Sequence, residues 1–370
     1  MTTRTVLGNL VNTNLGVPAA AAGGKIHSVA SWLTSKVSSN KENVIDQLQK
    51  TNNRYAVKKN QKKLCVEEEE PMEVTEEEVL PSARVPEGVI DIDQEEEDVN
   101  ACGEYARDIY AYLKQREVVF AVRENYLEGS GITSKMRSLL IDWMVSVHQQ
   151  FELCQETLFL SINLLDRYLQ LEVLNTPRTK LQLVGVTALL LASKVEEIYL
   201  PSIEDFVYST NNAYSEAEVK DMELKMMSVL EFNLNAPISL SYLRRYSKAG
   251  DVDVVEHTLA KYILELSLLD FGQAALSPSL AAAAALNLSL ALLEPGLAES
   301  KVWNISLQYH SGLSAASLAA TVRRMATVLL NAESHKLQAV REKYSSRKYR
   351  RVSLIRDISG DNIRRKFRLK

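Results

Sequence analysis

Cysteine and histidine are both scarce in this 370-residue chain. The three cysteines, Cys65, Cys102 and Cys154, stand far apart and form neither a disulfide framework nor a metal-binding CxxC pair, a usage that fits a reducing compartment. The five histidines are scattered, and no HExxH, GxSxG or P-loop occurs, so no catalytic constellation, cofactor site or metal site is expected. The GSG at 129–131 lacks the third glycine and the flanking strand of a dinucleotide loop. The N-terminus lacks the apolar core of a signal peptide, and the apolar runs are too short to span a bilayer, so an intracellular, soluble protein is expected.

Aromatics are nearly missing from the first hundred residues, which hold only Trp32 and Tyr55 among Ser, Asn, Ala and Glu. Such a stretch cannot bury enough surface to offset its ordering entropy, so residues 1–100 are expected to be a disordered arm and a folded core to begin near Ala101. Charge divides this arm in two. Residues 1–66 carry ten Lys or Arg against Glu42 and Asp46, whereas residues 67–98 carry fifteen acids against Arg84. The acidic run, interrupted by Pro71, Pro81 and Pro86, reads as an extended, self-repelling spacer. The basic KKNQKK at 58–63 is either a nuclear-import signal or a plain basic patch.

From residue 101 onward Gly and Pro thin out, no alternating strand pattern competes, and apolar residues recur at three-four spacing, which predicts an all-α fold. A first helix with linker occupies 101–131, with Tyr105, Ile109, Tyr112 and Leu113 on one face. Five helical segments follow over 132–236. Thr133 or Ser134 is placed to cap the first. The third, Lys180–Glu197 (KLQLVGVTALLLASKVEE), is apolar on every face from Leu181 to Ala192 and ends in a cluster of charges. A helix apolar all round must be enclosed, so this one is the expected hub, with a functional tip. After Asn235, Ala236 and Pro237 a second group of five covers 237–335, and its third helix, Ala281–Leu293, is again apolar nearly all round. The pattern is a duplicated architecture, followed over 336–370 by a C-terminal helix and a basic tail that either touches nucleic acid or acidic partners or is simply solvated.

Two short motifs stand in the arm. Arg4, Leu7 and Asn12 have the spacing RxxL followed by Asn, and Lys41, Glu42 and Asn43 spell KEN. RxxL also occurs at Arg137, Arg178 and Arg351, so its context in a segment able to present an extended peptide is what distinguishes Arg4. The pair resembles the destruction box and KEN box by which the anaphase-promoting ubiquitin ligase recognises mitotic regulators.

EYARDIYAYL, MRSLLIDWMVSVHQQFEL, ETLFLSINLLDRYL, KLQLVGVTALLLASKVEEIYLP and LEFNLNAP resemble, in order, the landmarks of the cyclin family, in particular its mitotic B type. The likeness covers roughly Cys102 to Tyr344 and implies two tandem five-helix cyclin-box folds. It also implies a function: a non-enzymatic subunit that binds and activates a mitotic cyclin-dependent kinase at the G2/M transition, passes between nucleus and cytoplasm, and is destroyed by ubiquitin-mediated proteolysis at mitotic exit. By the same resemblance Lys194 is the lysine that donates to carbonyls at the end of the kinase's mobile helix and Glu223 is its partner acid, while Glu197, Tyr105, Ile109 and Tyr112 also face the kinase. Taken from the residues alone, Lys194 need do no more than complement a helix C-terminus, and the three residues of the first helix equally suit packing on the chain's own fold. Met136, Leu139, Leu140, Trp143, Leu181 and Gln182 match the family's docking patch for RxL peptides, with core packing the rival for the apolar ones. The chain departs from the family pattern at Val195, where an aromatic is common, and at Ser146, where an acid is common.

An A-type cyclin remains an alternative, as does a cyclin-fold transcription factor gripping DNA. The second would want an N-terminal zinc ribbon and a basic folded domain, and the sequence has neither. Neither a membrane nor a nucleic acid is an expected partner.

Overall fold

The computed structural model describes residues 85–94, 102–294, 302–358 and 360–368. The motifs at Arg4–Asn12 and Lys41–Asn43, the KKNQKK run and the acidic residues before Val85 lie outside them.

Among the described residues the fold is all-α, with no strand. Helix α1 (Ala106–Val119) precedes a first bundle of α2 (Ser134–Gln150), α3 (Gln155–Glu172), α4 (Leu181–Glu196), α5 (Ile203–Ser209) and α6 (Glu216–Val229). A second bundle holds α7 (Ser239–Ala249), α8 (Val254–Leu269), α9 (Pro278–Leu293), α10 (Ile305–Ser311) and α11 (Ala315–Asn331), and α12 (Ala339–Tyr344) and α13 (Gly360–Phe367) close the chain.

Local chemistry sets many of the helix starts. Thr133 accepts the Met136 N–H at α2, and reciprocal capping boxes formed by Ser202 with Asp205, Ser215 with Glu218 and Asp253 with Glu256 open α5, α6 and α8. Pro278 sits in the first turn of α9, where its missing N–H costs nothing. Helix α4 is the enclosed rod of the first bundle, buried from Leu183 through Ser193, and it packs on α3, α2 and α6. Its counterpart α9 is buried over most of its length against α7, α8 and α11.

The two bundles meet through α2. Buried Arg137 holds Asp166 of α3 in a two-pronged pair (2.7 and 2.5 Å) and donates at 2.9 Å to the Leu268 carbonyl of α8. Tyr126 donates to the same carboxylate at 2.7 Å. Burial alone would lower the Arg137 pKa, and the charge and hydrogen bonds of Asp166 outweigh it and raise it. A second buried pair, Lys343 with Glu265 at 2.8 Å, joins α12 to α8, and Tyr344 donates to the same glutamate at 2.7 Å.

Two expectations change, and one left open is decided. The described part of the acidic run, residues 85–94, is not a free spacer: Ile92 is buried in the core, Asp93 forms a two-pronged pair with Arg245 at 2.8 and 2.9 Å, Asp91 binds Arg107 at 2.8 Å, and the Ile90 N–H donates to Ser306 at 3.0 Å. For α1, of the two placements open to Tyr105, Ile109 and Tyr112, packing on the chain's own fold is not the one adopted. Ala106, Tyr110, Leu113 and Glu117 turn inward, and Tyr110 and Glu117 bond to Ser241 and Ser279 of the second bundle, while Tyr105, Ile109 and Tyr112 are exposed. Nor is the basic end simply a solvated tail, since Tyr344, Val352 and Ile363 are core residues.

Candidate functional site

Helix α4 emerges from the core at Lys194, on its last turn. The Lys194 ammonium pairs with Glu223 of α6, and both side chains keep partial exposure. The glutamate takes one ammonium donor and orients the group, which leaves two further donors for an outside acceptor. The next residues are exposed and apolar: Ile198 and Tyr199 are 89% and 91% exposed, with Val195, Leu200 and, on α6, Leu224 also open to solvent. So much exposed apolar surface beside a fixed cation marks a binding face.

Glu197 serves inside the protein. Its carboxylate accepts the Cys154 N–H at 2.8 Å and the Thr157 hydroxyl, so it caps α3 from outside and fixes the turn after α4 against that helix. Beside it, burial and the charges of Glu156 and Glu197 raise the Glu196 pKa. Burial also acts to raise that of Glu156, but its bonds with Arg244 of α7 more than reverse this. The first turn of α3 is thereby tied to the second bundle.

Tyr105, at the N-cap of α1, and Ile109 and Tyr112 of the helix form one exposed stripe. Sequence spacing found these three residues, but the docking of α1 on the second bundle, through Tyr110, Lys114 and Glu117, is what turns the stripe outward.

The six residues of the expected docking patch divide. Met136, Leu139 and Gln182 are half-buried and reachable. Leu140 is 1% exposed, and a methyl group added at Gly185 of α4 would lie 2.8 Å from its Cδ1, so Leu140 is the core contact between α2 and α4 rather than a docking residue. Trp143 and Leu181, 6% and 5% exposed, also belong to the core. Apolar periodicity cannot separate these roles, because the stripe on α2 is wider than the surface left uncovered. Sequence reasoning missed the Ile90–Asp93 clip, whose alternating apolar and acidic residues were a signal hidden within the charge run. No cluster of His, Cys, Asp or Glu suited to a metal occurs among the described residues.

Comparison with known proteins agrees with this architecture. The family described as "Cyclin, N-terminal domain" matches residues 108–235, and "Cyclin, C-terminal domain" matches residues 237–358. "G2/mitotic-specific cyclin-B2" of Gallus gallus is 46% identical over 265 residues, covering 71% of this chain and 65% of that protein. "G2/mitotic-specific cyclin-B" of Patella vulgata is 41% identical over 293 residues (79% and 70%), and "G2/mitotic-specific cyclin-B2" of Homo sapiens is 43% identical over 277 residues (74% and 68%). The aligned part thus spans about two thirds of the length of these relatives. Among solved structures, a viral cyclin from herpesvirus saimiri aligns with a TM-score of 0.52 at 21% identity, covering 60% of this chain and 96% of that one, which is a likeness of fold.

Proposed function

The chain belongs to the B-type cyclins, and from that premise we propose that it is the regulatory subunit that binds and activates a mitotic cyclin-dependent protein kinase at the G2/M transition. It does no chemistry of its own. Such a kinase is active only when a strand lysine pairs with a glutamate on a mobile helix and the activation loop is in place. A partner that binds this arrangement better than the others shifts the kinase's equilibrium toward it.

The observation that carries this reading is the Lys194–Glu223 pair beside the exposed Val195–Leu200 segment. An ammonium held at the rim of an apolar face suits the carbonyl-bearing C-terminal end of a kinase helix, where a cation is favoured. The apolar residues around it supply area, and the exposed stripe of α1 gives a second point of contact, so the kinase is held in one orientation. Ile198 and Tyr199 supply the area that Val195, in place of an aromatic, does not. Replacing both Lys194 and Glu223 by Ala is expected to abolish activation of the co-purified kinase while helicity is unchanged; full activity of the double variant overturns the assignment.

Met136, Leu139 and Gln182 form the accessible part of the proposed docking surface for RxL substrates. Arg4, Leu7 and Asn12 with Lys41, Glu42 and Asn43 are the proposed signals for the anaphase-promoting ubiquitin ligase, and distribution between nucleus and cytoplasm belongs to the same reading. Each rests on sequence motifs alone. Deleting Arg4–Asn12 together with Lys41–Asn43 is expected to stabilise the protein at mitotic exit, and unchanged turnover removes that part of the proposal.

A further inference from the structure

Three arginines are buried among the described residues: Arg137, Arg167 and Arg245. Two of them have carboxylate partners, Asp166 for Arg137 and Asp93 for Arg245. Arg167 has none among the described residues. It is 7% exposed, and its one hydrogen bond to a described residue is a 3.5 Å contact from Nη1 to Asn163 of its own helix. Its neighbour Asp166 is taken by Arg137 and Tyr126.

A second unneutralised guanidinium lies close by. The guanidinium carbons of Arg116, near the end of α1, and of Arg167, on α3, each lie 4.4 Å from the centre of the Phe120 ring, so they are at most twice that distance apart. The acid beside Arg116, Glu117, is turned to Ser279. Burial and the charge of Arg116 push the Arg167 pKa down to about 10, as expected of a cation with no counter-ion. Stacking on Phe120 supplies cation–π attraction but leaves most of the in-plane N–H donors, five on each guanidinium, without an acceptor among the described residues, and none of these nitrogens is sealed from solvent. A buried charge in that state favours an anion.

We propose that Arg116 and Arg167 form an anion site that accepts a phosphate monoester, carried on a phosphorylated serine or threonine segment of another protein. Two guanidinium forks match a dianion with three free oxygens better than they match a carboxylate, which one fork satisfies, or a phosphodiester, which carries a single charge. The protein source is favoured by Val118 and Val119, 74% and 68% exposed on the last turn of α1, which offer apolar contact to the residues flanking a phosphate. The site stands independently of the kinase reading, because it is read in the chain alone.

The test uses the full chain with 15N-labelled arginine. Inorganic phosphate, titrated at constant ionic strength against chloride, is expected to shift the Nε–Hε resonances of Arg116 and Arg167 saturably. The peptide Ala-Val-phosphoserine-Val-Ala is expected to bind at least tenfold more tightly than its serine form and more tightly than inorganic phosphate. Arg116→Gln, on the partly exposed side, is expected to reduce that preference fivefold or more with the circular dichroism unchanged, and Arg167→Lys, which keeps the charge and loses the fork, to do the same. The absence of a saturable shift means that the two arginines only stack on Phe120 and overturns the site. Equal affinity for the two peptide forms, affinity no better than inorganic phosphate, or equal binding of a short single-stranded oligothymidylate overturns the phosphoprotein assignment.

Discussion

The Ala339 N–H donates at 3.0 Å to the carboxylate of Asp142, so a fully buried acid on α2 holds the start of α12. Its other oxygen has no partner. Burial pushes the Asp142 pKa up to about 6, against the weaker opposing pull of the Ala339 bond.

A carboxyl group whose pKa is raised on folding binds its proton more tightly in the folded chain, so its contribution to stability declines as pH rises from about 4 to about 6 and stays low above that. Asp142→Asn keeps the acceptor for Ala339 and removes the charge. It is expected to stabilise the protein by roughly 2–3 kcal/mol at pH 7.5, a gain that shrinks as pH falls through about 6 and vanishes only below about 4. Thermal melts of parent and variant at each pH check this. The comparison must be made pairwise, because burial pushes His148 and His257 down to about 4 and these histidines impose the opposite slope between about 4 and 6.5.

Gly185 lets α2 and α4 approach, and Leu140 fills the space its missing side chain leaves. Gly185→Ala gains about 1 kcal/mol of helix propensity but overpacks Leu140 at a cost of about 1–3 kcal/mol. A net loss is expected in urea unfolding, relieved when Leu140→Val is added.

Arg137→Ala leaves Asp166 buried without a counter-charge and is expected to cost about 3–5 kcal/mol. Because Arg137 also binds the Leu268 carbonyl, amide exchange should accelerate at the end of α8 as well as within the first bundle. Exchange confined to α2 and α3 would show that the bundles are not coupled through this residue.

The proposed substrate docking and core packing are separable on α2. Met136→Ala is expected to weaken capture of an RxL peptide with little change in melting temperature, whereas Leu140→Ala lowers stability by about 2–5 kcal/mol, as a buried truncation does. Equal effects of the two on peptide capture at matched folded fraction would return Leu140 to the docking surface.

Glu197→Gln is expected to weaken the turn after α4 by about 1–3 kcal/mol, since the Cys154 N–H and Thr157 hydroxyl lose a charged acceptor. If the measured effect lies instead in kinase affinity alone, Glu197 faces the partner in the complex.

Helix periodicity in the sequence fixes the all-α class, the two groups of five and the enclosed character of α4, because those follow from how apolar residues must be spaced to leave water. Turn chemistry at Thr133 and Pro278 places two helix starts for the same local reason. Tertiary structure alone decides which apolar residues stay outside. Tyr105, Ile109 and Tyr112 carry the same signal as Leu113 yet point away from the core, since Tyr110 and Glu117 find partners on a bundle more than a hundred residues later. The same holds for charge: Asp93 reads as part of the acidic run and Glu197, by resemblance, as a kinase contact, but long-range partners, Arg245 and Cys154, give both a structural role, while Arg167 is distinguished only by the partner it lacks among the described residues. Pairings between distant residues leave no local trace, because the energy of a charge or an apolar side chain depends on what the fold brings against it.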